Sequence, residues 1–362
     1  MALTVRTLFM LLALLAVATM ALSEARVIQP HQHDVQDASK NISCILVFGD
    51  SSVDPGNNNR LSTIFKANFP PYGENFFHGI PTGRFTNGRL PTDFNAEAFG
   101  HRSTLPAFLD PNLKKEDLLH GVSFASAGSG FDDLTANLTN VLPVAKQIEY
   151  LMHYKLQLRE LVGKLRAEEI VGNALFVLSM GTNDFIQNYY SKQIRSKQFS
   201  VEEYQDYLIR GMTRLVKRIH YLGARRLVVV GLAPLGCLPL VKTLMNTSEC
   251  VDSLNKASTS MNSKYVNQIT ILSKALRMEI FYDDIYTIFQ EAMKNPRKYG
   301  LAVTSRGCCG SGRVEFGHTC EGKSTCKDPS KYMFWDAVHP TESMYKIIAD
   351  GVTKMLNDYM LA

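Results

Sequence analysis

Short runs of strand-forming apolar residues recur along this chain of 362 residues, and helical patterns fill the intervals between them. The clearest runs lie at residues 45–48, 174–179, 226–231 and 279–282. Helical periodicity is found at residues 144–167, 202–222, 251–276 and 340–360. Strands that alternate with helices form a parallel sheet with right-handed crossovers. The pattern therefore predicts an α/β fold, and because no repeat or linker interrupts it, a single domain over residues 44–362.

Two of the apolar runs end in a glycine that is followed by polar residues. The first is followed by Gly49 and Ser51, and the run at residues 174–179 is followed by Gly181 and Asn183. Ligand sites of open α/β sheets lie at the carboxyl ends of the strands. A serine in this place acts as a nucleophile only when a base and an oxyanion-binding group converge on it, and otherwise it usually caps the next helix.

The C-terminal region contains a suitable base and acid. Asp336 and His339 lie three residues apart, so the carboxylate can hold one imidazole nitrogen while the other nitrogen faces Ser51. Pro340 suits the first position of a helix, which predicts that His339 lies on a loop where the last helix begins. A histidine in this setting is more often a capping or surface residue, so the pair alone does not establish catalysis.

Oxyanion donors are expected beside the nucleophile. A strand-like start at residue 121 leads into small residues that end at Gly128 and Gly130, where backbone N–H groups can approach a ligand closely. The expected donors are the N–H groups of Ser51 and Gly128 together with the Asn183 side chain. Gly130 is the alternative to Gly128, and Asn183 has the alternative role of a turn residue. Only the whole combination indicates acyl transfer by serine.

Several sequence blocks, taken in order, resemble those of the GDSL esterase/lipase family, within the SGNH hydrolase superfamily, and most closely its secreted plant branch. The blocks lie at residues 48–58, 83–88, 234–237 and 334–340. The resemblance covers nearly the whole mature chain. It implies a three-layer α/β/α sandwich around a central parallel sheet, of the flavodoxin-like type found in SGNH hydrolases.

The same resemblance implies roles for individual residues. It implies Ser51 as the nucleophile, His339 as general base and then acid, and Asp336 as the partner of His339. It implies Gly128 and Asn183 as the rest of the oxyanion hole. Two departures occur, because Ser52 stands where the family name has leucine and Ser123 stands where asparagine is common. Neither departure removes a catalytic group.

The N-terminus is typical of a secretory signal peptide, residues 1–25. A basic start and an apolar core at residues 8–18 precede small residues and an expected cleavage after Ala25. The apolar core is shorter than the roughly 20 residues of a spanning helix, which disfavours the alternative of an uncleaved anchor. Residues 26–43 are expected to be a flexible lead-in. Export predicts an extracellular location, in the apoplast or cell wall, and N-glycosylation at Asn41, Asn137 and Asn246.

The cysteines are concentrated in the C-terminal third, at Cys237, Cys250, Cys308, Cys309, Cys320 and Cys326. In an oxidising compartment they predict disulfides, with Cys237 paired to Cys250, two pairs among the other four, and Cys44 free. A zinc site that uses these cysteines and His318 is the alternative, but no paired CxxC motif occurs.

Composition and absent motifs narrow the function. The formal charge of +5 is modest and scattered, so nucleic-acid binding is not indicated. No Gly-x-Ser-x-Gly and no His-Glu-x-x-His occurs, which argues against an ordinary α/β-hydrolase and a zinc protease. We expect a soluble esterase or lipase without metal or cofactor, acting on lipid, small-molecule or polysaccharide esters. A transacylase, a polysaccharide deacetylase and a non-catalytic secreted binding protein are the alternatives. The oligomeric state is not indicated.

Overall fold

A computed structural model describes residues 42–361, so the predicted signal peptide and Asn41 lie outside the described residues. The central sheet has five strands in the order β2-β1-β3-β4-β5, and each neighbouring pair is parallel. The strands are β1 (Ile45–Gly49), β2 (Gly121–Ser123), β3 (Leu175–Ser179), β4 (Arg226–Val230) and β5 (Glu279–Asp283). This order is that of flavodoxin-like folds, so the predicted parallel sheet is confirmed.

The helices alternate with the strands as predicted. They are α1 (Pro91–Ala98), α2 (Asp133–Thr139), α3 (Val144–Val162), α4 (Lys164–Gly172), α5 (Val201–Tyr221), α6 (Pro239–Leu244), α7 (Asp252–Leu276), α8 (Ile285–Lys294) and α9 (Glu342–Leu361). A π-helical segment, Asp184–Ser191, follows β3. The prediction of one helix over residues 144–167 is wrong, because Gly163 has a φ of 81° and ends α3 there.

Successive residues of a strand face opposite sides of the sheet, which produces two separate cores. Leu46 packs in one cluster with Leu151 of α3 and Leu215 of α5. Val47 packs in another cluster with Val352 of α9. Helices therefore cover both faces of the sheet, and the predicted three-layer α/β/α arrangement is confirmed.

A second sheet lies in the C-terminal region. β6 (Val303–Gly307) pairs in parallel with β7 (Tyr332–Phe334). The sequence pattern did not identify β6 as a strand. The reason is that β6 is largely exposed and polar, so its sequence lacks the apolar run that marks a buried strand.

The last helix begins later than predicted. Thr341 donates its backbone N–H to the Met333 carbonyl at 3.1 Å, and Pro340 forms an antiparallel bridge with Phe334. These contacts hold the chain extended beside β7, and α9 begins only at Glu342. The prediction that Pro340 is the first residue of this helix is therefore wrong.

Three disulfides join the six C-terminal cysteines, and they pair Cys237 with Cys250, Cys308 with Cys326, and Cys309 with Cys320. Cys44 is free and buried. The predicted Cys237–Cys250 pair and the free Cys44 are confirmed. The alternative zinc site is contradicted, because every cysteine that it would use is bound to another cysteine.

The surface features relevant to export are accessible where the structure describes them. Asn137 in α2 and Asn246 after α6 are both exposed. Ile42 and Ser43, the last residues of the predicted lead-in, contact the domain, and the Ser43 hydroxyl donates to the Ile170 carbonyl at 2.6 Å. These two residues therefore belong to the folded part of the chain. Within residues 42–361, no helix is long and apolar enough to span a bilayer.

Asp283, at the end of β5, predicts a pH dependence of stability. Its buried Oδ2 has no hydrogen-bond partner within residues 42–361, and burial, with the neighbouring charge of Asp284, raises the pKa of Asp283 to about 7. The pKa in the unfolded chain is about 4, so the folded protein binds this proton more tightly. The contribution of Asp283 to the free energy of unfolding therefore falls as the pH rises from about 4 through 7.

We expect Asp283→Asn to increase the free energy of unfolding more at pH 8 than at pH 5, with a difference of about 2 kcal/mol between the two pH values. Urea denaturation at the two pH values measures this difference. Asp358→Asn, at an exposed ion pair on α9, is the control and should stay within about 0.5 kcal/mol of the wild type at both. Equal effects of Asp283→Asn at pH 5 and pH 8 would contradict the assignment.

Candidate active site

The five residues predicted for the site meet at the carboxyl edge of the sheet. Ser51 follows β1, Gly128 follows β2 and Asn183 follows β3. Asp336 and His339 lie in the loop between β7 and α9. β1 and β3 flank the point where the strand order reverses, which is where open α/β sheets bind ligands.

Ser51, His339 and Asp336 form a continuous hydrogen-bonded chain. His339 Nε2 lies 2.9 Å from Ser51 Oγ, and His339 Nδ1 lies 2.7 Å from Asp336 Oδ2. Asp336 is fully buried and His339 is 6% exposed. Asp336 Oδ1 also accepts the backbone N–H groups of Val338 at 2.8 Å and His339 at 2.7 Å. The bend that contains both residues therefore fixes the carboxylate against the imidazole.

Tyr72 is a further contact of this chain that the sequence did not indicate. Its hydroxyl donates to Asp336 Oδ2 at 2.7 Å and accepts the backbone N–H of Gly317 at 2.7 Å. Tyr72 is buried, and burial, followed by the charge of Asp336, raises its pKa well above the usual value. The phenol therefore remains a donor and holds the carboxylate oxygen that faces the imidazole.

Removal of the Tyr72 hydroxyl should impair the orientation of Asp336 without removing any reacting group. We expect Tyr72→Phe to lower kcat for an activated butyrate ester by about tenfold, the size of one lost hydrogen bond to a charged group. Steady-state kinetics with p-nitrophenyl butyrate measures the change. Tyr286→Phe is the control, because its hydroxyl accepts only an exposed hydrogen bond from Gln290, and this variant should keep the wild-type rate. An unchanged kcat in Tyr72→Phe would contradict this role.

The loop at residues 83–88 packs against the imidazole. The Phe85 ring lies 4.8 Å from the His339 ring, measured between centroids. The preceding Arg84 is anchored by a buried ion pair, with its Nη2 2.8 Å from Asp93 Oδ1. This anchoring keeps Phe85 in place, so the ring of His339 is confined where the two rings pack together.

Gly128 and Gly130 differ in what surrounds them. Gly128 lines the cleft at Ser51 and has a φ of 87°, a backbone conformation that favours glycine. A Cβ on Gly130 would lie 2.1 Å from an oxygen of Asp184, so Gly130 is packed against that buried carboxylate. Gly128, rather than Gly130, is therefore the glycine that borders the cleft at Ser51.

A buried polar network holds the Gly128 turn in place. Asp54 Oδ2 accepts the N–H of Ala127 at 2.9 Å, and Asn58 Nδ2 donates to the Ala127 carbonyl at 2.8 Å. Asn57 Nδ2 donates to the Ala125 carbonyl at 2.8 Å. These side chains hydrogen-bond to backbone groups of the turn that have no partner in a neighbouring strand.

The Asn183 side chain is held in one orientation. Its Nδ2 donates to the Ser129 carbonyl at 3.0 Å, and its Oδ1 accepts from Gln187 Nε2 at 2.7 Å. An amide nitrogen has two hydrogens, so one remains for a ligand. Within residues 42–361, no protein group accepts a hydrogen bond from the backbone N–H of Ser51 or Gly128. Three residues that line the cleft at Ser51 thus each keep an N–H hydrogen without a protein acceptor.

Two clefts open on either side of the serine. Cleft 1, of about 130 Å³, is walled by Ile64, Phe65, Phe85, Ile186, Leu240 and Phe316. Cleft 2, of about 90 Å³, reaches toward β4, α8 and α9, and includes Leu232, Leu235, Phe289 and Ile348. The residues shared by both clefts are Ser51, Thr182, Asn183, Val338 and His339. An ester bound at Ser51 can therefore direct one half into each cleft.

Comparison with known proteins identifies the family. The sequence profile of the GDSL-like Lipase/Acylhydrolase family matches residues 45–352. GDSL esterase/lipase At5g45950 of Arabidopsis thaliana is 49% identical over 348 residues, which cover 96% of this chain and 97% of the relative. GDSL esterase/lipase At2g42990 of the same plant is 42% identical over an alignment that covers 90% of this chain and 94% of the relative.

Among solved structures, a catalytic mutant of Axe2, an acetylxylan esterase from Geobacillus stearothermophilus, aligns with a TM-score of 0.40 at 13% identity. That alignment covers 87% of this chain and 94% of Axe2. The family profile and the plant relatives extend over most of the chain at high identity. The chain is therefore a member of the GDSL-like lipase/acylhydrolase family and a carboxylic ester hydrolase.

Proposed function

We propose that this protein is a secreted serine esterase that cleaves carboxylic esters through an acyl-Ser51 intermediate. The observation that carries the proposal is the chain of hydrogen bonds from Ser51 Oγ through His339 to Asp336, at 2.9 and 2.7 Å. A serine hydroxyl needs a base to become nucleophilic, and an imidazole held by a buried carboxylate is the usual base.

In the first half of the reaction, His339 Nε2 takes the Ser51 proton as Oγ attacks the ester carbonyl carbon. The carbonyl oxygen becomes an oxyanion, which accepts hydrogen bonds from the N–H groups of Ser51 and Gly128 and from Asn183 Nδ2. The imidazolium then donates its proton to the alcohol oxygen. The carbon–oxygen bond breaks, the alcohol leaves, and the acyl group stays on Ser51.

In the second half, water replaces the alcohol. His339 Nε2 takes a proton from the water, whose oxygen attacks the acyl carbon, and then returns a proton to Ser51 Oγ as the acid leaves. Asp336 stabilises the positive imidazolium in both halves. Asp50, which is 4% exposed and borders the site, adds a second carboxylate near the imidazolium, although burial raises its own pKa.

A fluorophosphonate probe tests the nucleophile. The probe should label the wild-type protein on Ser51, as identified by peptide mass mapping, and Ser51→Ala should remove all labelling. His339→Ala should slow the labelling strongly, because the hydroxyl loses its base. Absence of label on folded wild-type protein would contradict the proposal and would favour a protein that binds esters without cleaving them.

The acyl acceptor is tested by product analysis. We propose water as the acceptor, because His339 lines both clefts and can activate a water molecule that enters either one. Incubation of an acyl ester with and without an excess of glycerol or a sugar should give free acid as the main product in both cases. Transfer of most acyl groups to the added alcohol would instead establish a transacylase, and selective release of acetate from a polysaccharide would establish a deacetylase.

We also propose that the protein is exported, with residues 1–25 removed and a single domain from residue 42 as the active part. The three disulfides and the exposure of Asn137 and Asn246 support this proposal. Expression of the full chain in plant cells, N-terminal sequencing of the protein from the extracellular fluid, and glycosidase treatment test it. Retention in the cytosol with an intact N-terminus would contradict it.

A further inference from the structure

Cleft 1 and cleft 2 differ in the polar side chains that each contains alone. Those of cleft 1 are Gln187, which is half-buried, and His318, which is exposed. Those of cleft 2 are the half-buried Ser52 and the buried Asp50, Ser179 and Tyr345, of which the last three are 4%, 8% and 2% exposed. Cleft 2 thus combines apolar walls with buried polar groups, whereas the buried wall of cleft 1 outside the shared residues is apolar.

The polar groups of cleft 2 are only partly hydrogen-bonded. The Tyr345 hydroxyl is buried and has no hydrogen-bond partner in the part of the chain that the structure describes. Asp50 Oδ1 accepts the N–H and the hydroxyl of Ser52 at 3.0 and 2.8 Å, and within residues 42–361 no hydrogen bond reaches Asp50 Oδ2. Ser52 Oγ also lies 2.8 Å from Ser179 Oγ. The residues that line cleft 2 thus include one unpaired donor, the Tyr345 hydroxyl, and one unpaired acceptor, Asp50 Oδ2.

A hydrocarbon chain in cleft 2 would leave both of these groups unpaired, which costs free energy for each buried polar atom. A hydroxyl group satisfies both, since it can donate to a carboxylate oxygen and accept from a phenol. The acyl chain of an ester is apolar, whereas its alcohol half often carries hydroxyl groups. The acyl chain therefore fits cleft 1, and a hydroxylated alcohol fits cleft 2.

We propose that cleft 2 binds the alcohol half of the substrate and selects alcohols with a free hydroxyl group, which donates to Asp50 and accepts from Tyr345. The substrate class is the partial ester of a polyol, such as a glycerol or sugar monoester. This inference rests on the proposed acyl-Ser51 mechanism. The two named side chains act on the alcohol before it leaves, so they determine specificity and take no part in the transfer of protons.

A matched pair of esters tests the proposal. Glycerol 1-monobutyrate and propyl butyrate share the acyl group and the three-carbon alcohol skeleton and differ by two hydroxyls. The readout is the ratio of their kcat/KM values, after division by their rates of alkaline hydrolysis. We expect the wild type to favour the glycerol ester by about tenfold and Tyr345→Phe to lower the ratio to about one. Tyr359→Phe, at an exposed tyrosine of the same helix, is the control and should keep the wild-type ratio.

The ratio does not depend on how much of a preparation is folded, and labelling of Ser51 by the fluorophosphonate verifies that each variant is competent. Hydrolysis of both esters with a wild-type ratio of about one would overturn the inference alone. An unchanged ratio in Tyr345→Phe would overturn the role of Tyr345, with cleft 2 then holding only water at that hydroxyl. If the wild type cleaves neither ester and is not labelled, the proposed function fails and this inference fails with it.

Discussion

We expect Ser51→Ala to lower kcat for ester hydrolysis by about 10⁶-fold, and His339→Ala to lower it by a similar factor. Ser51 Oγ is the atom that forms the bond to the acyl carbon, and no other hydroxyl in the described part of the chain lies within hydrogen-bond distance of His339 Nε2. Without either partner, the oxyanion donors can still bind the ester but have no activated nucleophile to assist. Steady-state kinetics with p-nitrophenyl butyrate, extended to long incubation times, measures the residual rate.

The double variant tests whether Ser51 and His339 act together in one step or contribute independently to kcat. Because Ser51 and His339 act in the same step, the Ser51→Ala, His339→Ala protein should be no slower than either single variant. Ser52→Ala is the control for a neighbouring hydroxyl, since Ser52 Oγ bonds to Asp50 and Ser179 instead of His339. The kcat of Ser52→Ala should stay within about tenfold of the wild-type value. A Ser51→Ala protein that retains more than a thousandth of the wild-type rate would contradict the assignment of the nucleophile.

The parts of the site that the sequence predicted depend on short-range patterns. A run of apolar residues that ends at Gly49 indicates a strand edge, and the spacing of Asp336 and His339 allows one loop to hold both. Gly49 itself is required by packing, since a Cβ there would lie 2.3 Å from the Ser179 carbonyl oxygen of the neighbouring strand. Such features are encoded within a few residues, so they can be recognised without the fold.

The parts that the sequence did not predict depend on contacts between distant residues. Tyr72 and Asp336 are 264 positions apart, and only the fold brings the phenol to the carboxylate. The choice between Gly128 and Gly130 depends on Asp184, which lies on another segment and fills the space beside Gly130. The start of α9 depends on the pairing of Pro340 with Phe334. In each case the local sequence does not determine the arrangement, and tertiary packing does.

Asp336 is held by contacts that determine how an asparagine would sit in its place. Oδ1 accepts two backbone N–H groups, from Val338 and His339, while Oδ2 lies beside His339 Nδ1 and the Tyr72 hydroxyl. The two backbone donors require an oxygen, so the amide nitrogen of an asparagine would occupy the position of Oδ2. That nitrogen would donate a hydrogen bond to His339 Nδ1 and leave the proton on Nε2, toward Ser51.

An imidazole with its proton on Nε2 cannot accept the proton of Ser51, so we expect Asp336→Asn to lower kcat by about 10⁴-fold although the shape of the site is retained. Kinetics with p-nitrophenyl butyrate measures the rate, and a thermal melt checks that the variant is folded. Asp328→Asn is the matched control, because Asp328 is an exposed capping residue a few positions earlier and should have the wild-type rate. A folded Asp336→Asn protein whose kcat lies within tenfold of the wild-type value would show that His339 is oriented by other groups, such as the Phe85 ring that packs against it.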